Sequence, residues 1–335
     1  MPNPARATPL ARRAPKPGAL ARRLRGVLLA GAALVSVGAT ALDDNSQVPV
    51  LLYHSRNVGP TCSPDDTDVL AFERDVRILR QRGYVLRPLL EVVYWRLGIW
   101  RGDQLPEKVA AITFDDGFDR DWQSGIPSRV RYPAYPCADL PSVRGIAEGD
   151  GNIPVTFFVI ASRAVREGIQ PDHMNDNWWQ SAERHYLFDI GNHSVDHDHQ
   201  SITQALHDPD IPATLPAAGH ADSRWRGEDN PLRWTNYAAA SLAVEHSARA
   251  IHSLTEQWPV LFAHPMGTAS PYLHNVYFPQ FQAQHGTLAA FCTEDGTSER
   301  LARKSSDRWC LPRLGHGVSW VTGDDLSRLI DGWER

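Results

Sequence analysis

The chain has 335 residues and a formal net charge of −5, but the charge is unevenly spread. The first 41 residues carry seven basic side chains (Arg6, Arg12, Arg13, Lys16, Arg22, Arg23 and Arg25) and no acidic one, so removing them takes the remainder, Leu42 to Arg335, to −12. A body that acidic argues against nucleic acid or an anionic lipid surface as partner.

The basic start is followed by an apolar stretch from Gly26 to Val37 and the small-x-small sequence Ala39-Thr40-Ala41. That order is the pattern of an export signal. The stretch is too short for a comfortable membrane span. The expectation is therefore cleavage near Ala41, a mature chain with no membrane span, and a periplasmic or secreted location. An uncleaved anchor is the alternative. Arg22-Arg23 invites a twin-arginine export route, although the flanking residues fit that consensus poorly. The 294 residues that follow the signal suit one large domain, 42–335. Four cysteines, Cys62, Cys137, Cys292 and Cys310, show no C-x-x-C spacing. In an exported chain they predict disulfides rather than a zinc cluster. Cys292 with Cys310 is the preferred pair, because it closes the shortest loop.

Along the mature chain, apolar runs predict strands at Pro49 to Tyr53, Val109 to Phe114, Val155 to Ile160, Leu187 to Ile190, Val260 to Ala263, and Leu288 to Phe291. Helical patterns fall between them. Phe72, Val76 and Leu79 share one face ahead of Gly83, a stop signal. Val244, Ala248, Ile251, Leu254 and Trp258 form a second stripe, ended by Pro259. A third helix is expected to start at Asp324-Asp325, acids suited to a helix N-terminus, and to carry Leu326, Leu329 and Ile330 inward. Strands alternating with helices predict an α/β barrel with mainly parallel strands. Two long inserts, Phe118 to Asn152 and Ser201 to Arg233, are rich in Pro, Gly and Asp. Loops of that length are usually functional covers or disordered.

Two segments carry chemistry. Val109 to Gly117 reads V-A-A-I-T-F-D-D-G, an apolar strand delivering two carboxylates to its C-terminal mouth, the end where chemistry sits in such barrels. Gly191 to His197 reads G-N-H-S-V-D-H, with two imidazoles four residues apart that a helical turn would place on one side. One carboxylate with two histidines leaves a coordination position open for water, the composition of a catalytic zinc-type site. Adjacent acids such as Asp115 and Asp116 point differently, so one can hold a cation while the other accepts a proton. Asp196 is placed to orient a histidine through its free ring nitrogen, and His199 offers a third imidazole nearby.

T-F-D-D-G followed by H-S-x-x-H resembles the first two motifs of the NodB-type polysaccharide deacetylases, carbohydrate esterase family 4. P-V-L-L-Y-H at Pro49 to His54 looks like the opening strand of the branch acting on exported or cell-surface polysaccharides. Pro154 to Val159 and Trp309 to Arg313 are similar to the family's second and late strands. The resemblance implies a distorted (β/α) barrel of about seven strands with long inserts. It implies a metal-dependent hydrolase that removes N-acetyl groups from an N-acetylglucosamine-containing polysaccharide. Asp116, His193 and His197 would be the metal ligands, and Asp115 the base toward the metal-bound water. The backbone N–H of Met266 would help bind the oxyanion, and His316, in an L-x-H sequence, or alternatively His54 would protonate the amine. The motif around Met266 departs from the family pattern, and the arginine that often tethers the catalytic aspartate there is absent. Arg313 is a candidate replacement. With His54, His264 and Trp320 it is also a candidate for contact with substrate. Several of the eleven tryptophans, among them Trp178, Trp179, Trp225, Trp234 and Trp309, lie near motifs or inserts where a sugar face could stack. The donor set suits Zn2+ first, with Co2+, Ni2+ and Fe2+ compatible. The rival readings are an O-acetyl esterase on a glycan such as xylan, a glycan-binding barrel without turnover, and an amidase acting on a small molecule.

Overall fold

A computed structural model describes residues 41–99, 105–126, 137, 139–170, 172–197, 236–293 and 299–334. Its strands are β1 (Val50–Tyr53), β2 (Val85–Leu86), β3 (Val109–Asp116), β4 (Val155–Val159), β5 (Phe188–Asn192), β6 (Leu261–Ala263), β7 (Ala289–Thr293) and β8 (Leu311–Gly315). Every strand pairing is parallel. The chain of neighbours runs from β3 through β8 to β1, and β1 pairs back onto β3, which closes a barrel of seven strands. The two-residue β2 sits outside that ring. It pairs with Val109 and Ala110 of β3, below the stretch from Ala111 to Phe114 that β1 takes.

The expected apolar runs are these strands, because a parallel strand wrapped by helices is buried on both faces and reads as a continuous hydrophobic segment. The pleat still sorts alternate residues. Leu51, Tyr53, Ala110, Ile112, Phe114, Phe157 and Val159 pack outward against helix α1 (Asp68–Gln81) and its neighbours. Val50, Val109, Ala111, Phe158, Phe291 and Leu311 pack inside the barrel, over helix α2 (Leu89–Arg96). Phe158 of β4 meets Phe291 of β7 with ring centroids 5.7 Å apart, which places both in the interior.

Helix α1 buries Phe72, Val76 and Leu79, and the chain turns at Gly83 with φ 82°, a backbone state glycine adopts without strain. Helix α3 (Gly323–Trp333) begins at a reciprocal capping box between Thr322 and Asp325 and fully buries Leu326 and Ile330. The stripe at 244–258 is only partly helical as expected. An α-helix spans Ser247–Thr255 after a π-helical stretch, Leu242–His246, and Glu256 at φ 63° ends it. Val244, Ala248 and Ile251 are buried, but Leu254 and Trp258 face outward. Two disulfides are present, Cys292–Cys310 as preferred and Cys62–Cys137. Among the described residues, no helix is long and apolar enough to cross a membrane. The 1–40 segment and the Ser201 to Arg233 insert, with Trp225, and Trp234 and His199, lie outside the described residues.

Candidate metal centre and catalytic pocket

β3 runs through both acids, so the pleat separates them. Asp115 pairs in register with the interior residue Phe158, and Asp116 with Val159 on the other face. Asp116 has φ 79°, and the turn continues through Gly117 at φ 75°. A Cβ on Gly117 would lie 2.8 Å from the Val159 side chain, so only glycine fits behind the two acids. Ser194, His197 and Met266 also have left-handed φ values of 68°, 56° and 57°. Non-glycine residues held in that region cluster at functional sites.

The two histidines are brought together by an irregular turn after β5, not by a helical turn. His193 follows the last strand residue, Asn192, and the positive φ at Ser194 and His197 breaks helical geometry. Asn192 fixes the turn: its side chain accepts from the Ser194 N–H and the Ser247 hydroxyl and donates to the Val244 carbonyl. The imidazole centroids end 4.7 Å apart. One ligand atom from each of Asp116, His193 and His197 lies within 4.8 Å of the others, and all three residues are buried. His197 Nε2 is 3.4 Å and His193 Nε2 3.7 Å from Asp116 Oδ1.

Three features fit this set to a cation. Both Asp116 oxygens are buried without a hydrogen-bond partner. Arg56 balances the charge from 3.0 Å, but the lone pairs of both oxygens stay unused, as a ligand for a cation requires. His193 Nδ1 lies 2.9 Å from the Ala263 carbonyl, which only accepts, so Nδ1 carries the proton and Nε2 turns its lone pair to Asp116. That orienting role for His193 falls to the β6 carbonyl rather than to Asp196. Burial also lowers the pKa of both histidines, His197 to about 3, against the opposing pull of the aspartates, which keeps the imidazoles neutral as ligands must be. Burial would raise the Asp116 carboxyl, but Arg56 and then His197 outweigh it and hold the group well below the usual range.

Asp115 is held differently. Arg313, fully buried on β8, donates to both of its oxygens, at 2.6 Å and 2.7 Å, and also reaches Thr113. Burial pushes the Asp115 carboxyl up, and Arg313 followed by His193 more than reverses it, so the group stays ionised. Asp115 Oδ2 lies 3.6 Å from His193 Nε2, at the edge of the ligand cluster. Arg313 therefore tethers Asp115 and has no surface to offer a substrate.

Three further expected contacts are placed elsewhere. Trp320 is enclosed, edge-on to Tyr53, and donates its indole N–H to Asp75 at 2.7 Å, so it is core rather than groove. His264 is fully buried between Phe262 and Phe278 and donates Nε2–H to the Trp309 carbonyl; burial lowers its pKa to about 3. It is a neutral core histidine. His316 has a side chain only 2% exposed, with Nδ1 2.7 Å from Asp68 and Nε2 3.2 Å from the Val321 carbonyl. Both partners accept, so the ring carries both protons; burial lowers its pKa, but the Asp68 bond and charge raise it overall. Neither nitrogen faces a substrate. Trp178, Trp179 and Trp309 are likewise core.

The residues at the mouth are His54, Met266 and Arg56. His54 directly follows β1, is half-buried, and acts electrostatically on both aspartates. Its N–H donates to Asp68 at 2.7 Å, so the Asp68–His316 pair holds the backbone that carries it. Met266 lies in the turn after β6 and is 41% exposed. Sequence reasoning missed Arg56, Asp68 and Asp75. Asp68 reads as an ordinary acid at a helix start, and no local pattern marks the others.

No protein-family profile and no curated protein sequence matches the chain. Solved structures do. IcaB from Ammonifex degensii superposes with a TM-score of 0.54 at 16% identity, over 87% of this chain and 99% of that one. The deacetylase PplD from Streptococcus pyogenes, solved with acetate, gives 0.53 at 14% identity, over 88% and 100%. The chain shares their fold. A de-N-acetylase from Aggregatibacter actinomycetemcomitans gives 0.51 at 15% identity, over 80% and 94% of the two chains.

Proposed function

We propose that the chain is a NodB-type polysaccharide deacetylase of carbohydrate esterase family 4, which removes N-acetyl groups from an N-acetylglucosamine-containing polysaccharide outside the cytoplasmic membrane. The observation that carries this is the buried Asp116, His193, His197 cluster beside an arginine-tethered Asp115 at the C-terminal mouth of the barrel. The likeness in fold to solved deacetylases supports it. The basic, apolar N-terminus and the two disulfides support an oxidising compartment.

Asp116, His193 and His197 would hold a divalent cation, with Zn2+ the first choice for that donor set, and the cation would supply Lewis acidity and lower the pKa of water. Asp115, kept ionised by Arg313, takes a proton from the attacking water. The Met266 N–H donates toward the oxygen on which charge develops. His54 delivers a proton to the sugar nitrogen as the carbon–nitrogen bond breaks, leaving acetate and a free amine. We assign this step to His54 rather than His316 because His54 is only half-buried and close enough to act on both aspartates, while both His316 nitrogens are engaged. His316 acts through Asp68 to position it.

Acetate release from N-acetylglucosamine monomer, N-acetylglucosamine oligomers and acetylated xylan, by metal-stripped and Zn2+-loaded protein, tests this. Metal-dependent release from the oligomers is expected. Release from xylan alone would make the protein an ester hydrolase, and release from the monomer alone would defeat the polymer reading.

A further inference from the structure

One guanidinium at the metal cluster is left unused by these steps. Arg56, in the turn after β1, places Nε 3.0 Å from Asp116 Oδ2 with its side chain 37% exposed. The contact is an ion pair without hydrogen-bond geometry, since both Asp116 oxygens lack a hydrogen-bond partner. Among the described residues, no hydrogen bond occupies the Arg56 N–H groups. Arg313 is the opposite case: enclosed, bidentate, and committed to Asp115.

Charge matching points to what Arg56 does. Asp115 is balanced by Arg313 and Asp116 by Arg56, and an imidazole binds a metal only in its neutral form. These six groups bring no net charge to the pocket. A dication among its ligands then leaves the pocket positive, and a positive, partly desolvated pocket selects an anionic guest. A residue 3.0 Å from a metal-ligand oxygen also reaches whatever oxygen binds beside that ligand. Arginine is suited to this, because its planar fork matches a carboxylate.

We propose that Arg56 is an anion-binding catalytic residue, whose guanidinium exchanges Asp116 for the acetyl-derived oxygen, stabilising the developing oxyanion and holding acetate until release. The assignment rests on the deacetylase reading for its substrate, but its ligand, a small carboxylate at the metal cluster, can be probed without any glycan.

The test is calorimetric titration of metal-stripped protein with Zn2+, and of Zn2+-loaded protein with acetate, for wild type, Arg56→Gln and Arg56→Lys. Arg56→Gln is expected to weaken acetate about tenfold or more, the scale of one charge-assisted hydrogen bond. It is expected to bind Zn2+ more tightly, because a cation beside the ligand is gone. With substrate, kcat falls about tenfold or more while KM stays within about twofold, the mark of an interaction made in the transition state. Arg56→Lys keeps the charge without the fork and recovers part of both losses. If Arg56 only holds Asp116 in place, Arg56→Gln binds Zn2+ more weakly and acetate as well as wild type does; that result overturns the proposal. Wild-type protein that binds Zn2+ and acetate but releases acetate from no glycan overturns the deacetylase reading and leaves the anion site standing.

Discussion

Asp115 and Asp116 adjoin in sequence and each meets an arginine, yet the two pairs occupy different regions of the barrel. The Asp115–Arg313 pair lies within the interior, on top of the core built by Phe158 and Phe291, with both guanidinium donors fixed on the carboxylate. In the Asp116–Arg56 pair the acid is just as buried, but the guanidinium makes one contact and the arginine side chain is 37% exposed. The pleat of one strand thus gives two acids opposite constraints. Asp115 is held ionised by two hydrogen bonds, which suits the proposed proton acceptor, and Asp116 keeps both oxygens without a hydrogen-bond partner, which suits the proposed cation ligand.

Substitutions can break or sharpen this contrast. Asp115→Asn carries the largest expected effect on turnover, a loss on the order of 10²–10⁴-fold, with Zn2+ binding retained in a calorimetric titration. Arg313→Gln strikes the interior pair and leaves a buried carboxylate without its partner. It is expected to cost about 3–5 kcal/mol, read as a lower midpoint in denaturant. Because the folded Asp115 pKa is depressed, its stabilisation is present above the ordinary carboxylate value of about 3.9 and is lost as pH falls through the folded value. Without Arg313 that loss begins at higher pH, and the acid limb of kcat moves up with it.

The histidines at the mouth separate in the same way. His54→Gln should lower kcat by about a hundredfold, the lower range for a positioned acid or base, with stability little changed. His316→Gln should act first on stability. The raised folded pKa of His316 means its contribution is complete below about 6.5 and disappears as pH rises through the folded value. Asp68→Asn should flatten that alkaline loss in pH-dependent unfolding. The smallest effect is expected at Trp258, 46% exposed and stacked on His252 at 4.2 Å, far from either acid in sequence and outside the barrel. Trp258→Ala should change stability by no more than about 0.5 kcal/mol and leave kcat unchanged.

Much of the fold was legible because parallel barrel strands are buried on both faces. Val109 to Phe114 and Val155 to Ile160 announce themselves as apolar runs, while Val85–Leu86 is too short to stand out. The clustered Asp116, His193 and His197 were legible as short motifs, although the turn that joins His193 to His197 is not helical. Long-range partners were not. Arg313 and Asp115 are 198 residues apart, and Asp68 and His316 are 248 apart, so only the closed barrel shows which polar groups meet. The same blindness let His264 and Trp320 pass as groove residues. A polar atom on a buried ring looks available in sequence until the Trp309 carbonyl or Asp75 is found to satisfy it.

The most direct test of the metal centre is a paired measurement of Zn2+ binding and acetate release for Asp115→Asn and Asp116→Asn beside wild type. The account predicts one tightly bound Zn2+ without turnover in Asp115→Asn, and loss of both in Asp116→Asn. Tight Zn2+ binding in Asp116→Asn, or acetate release from metal-free wild type, would contradict it.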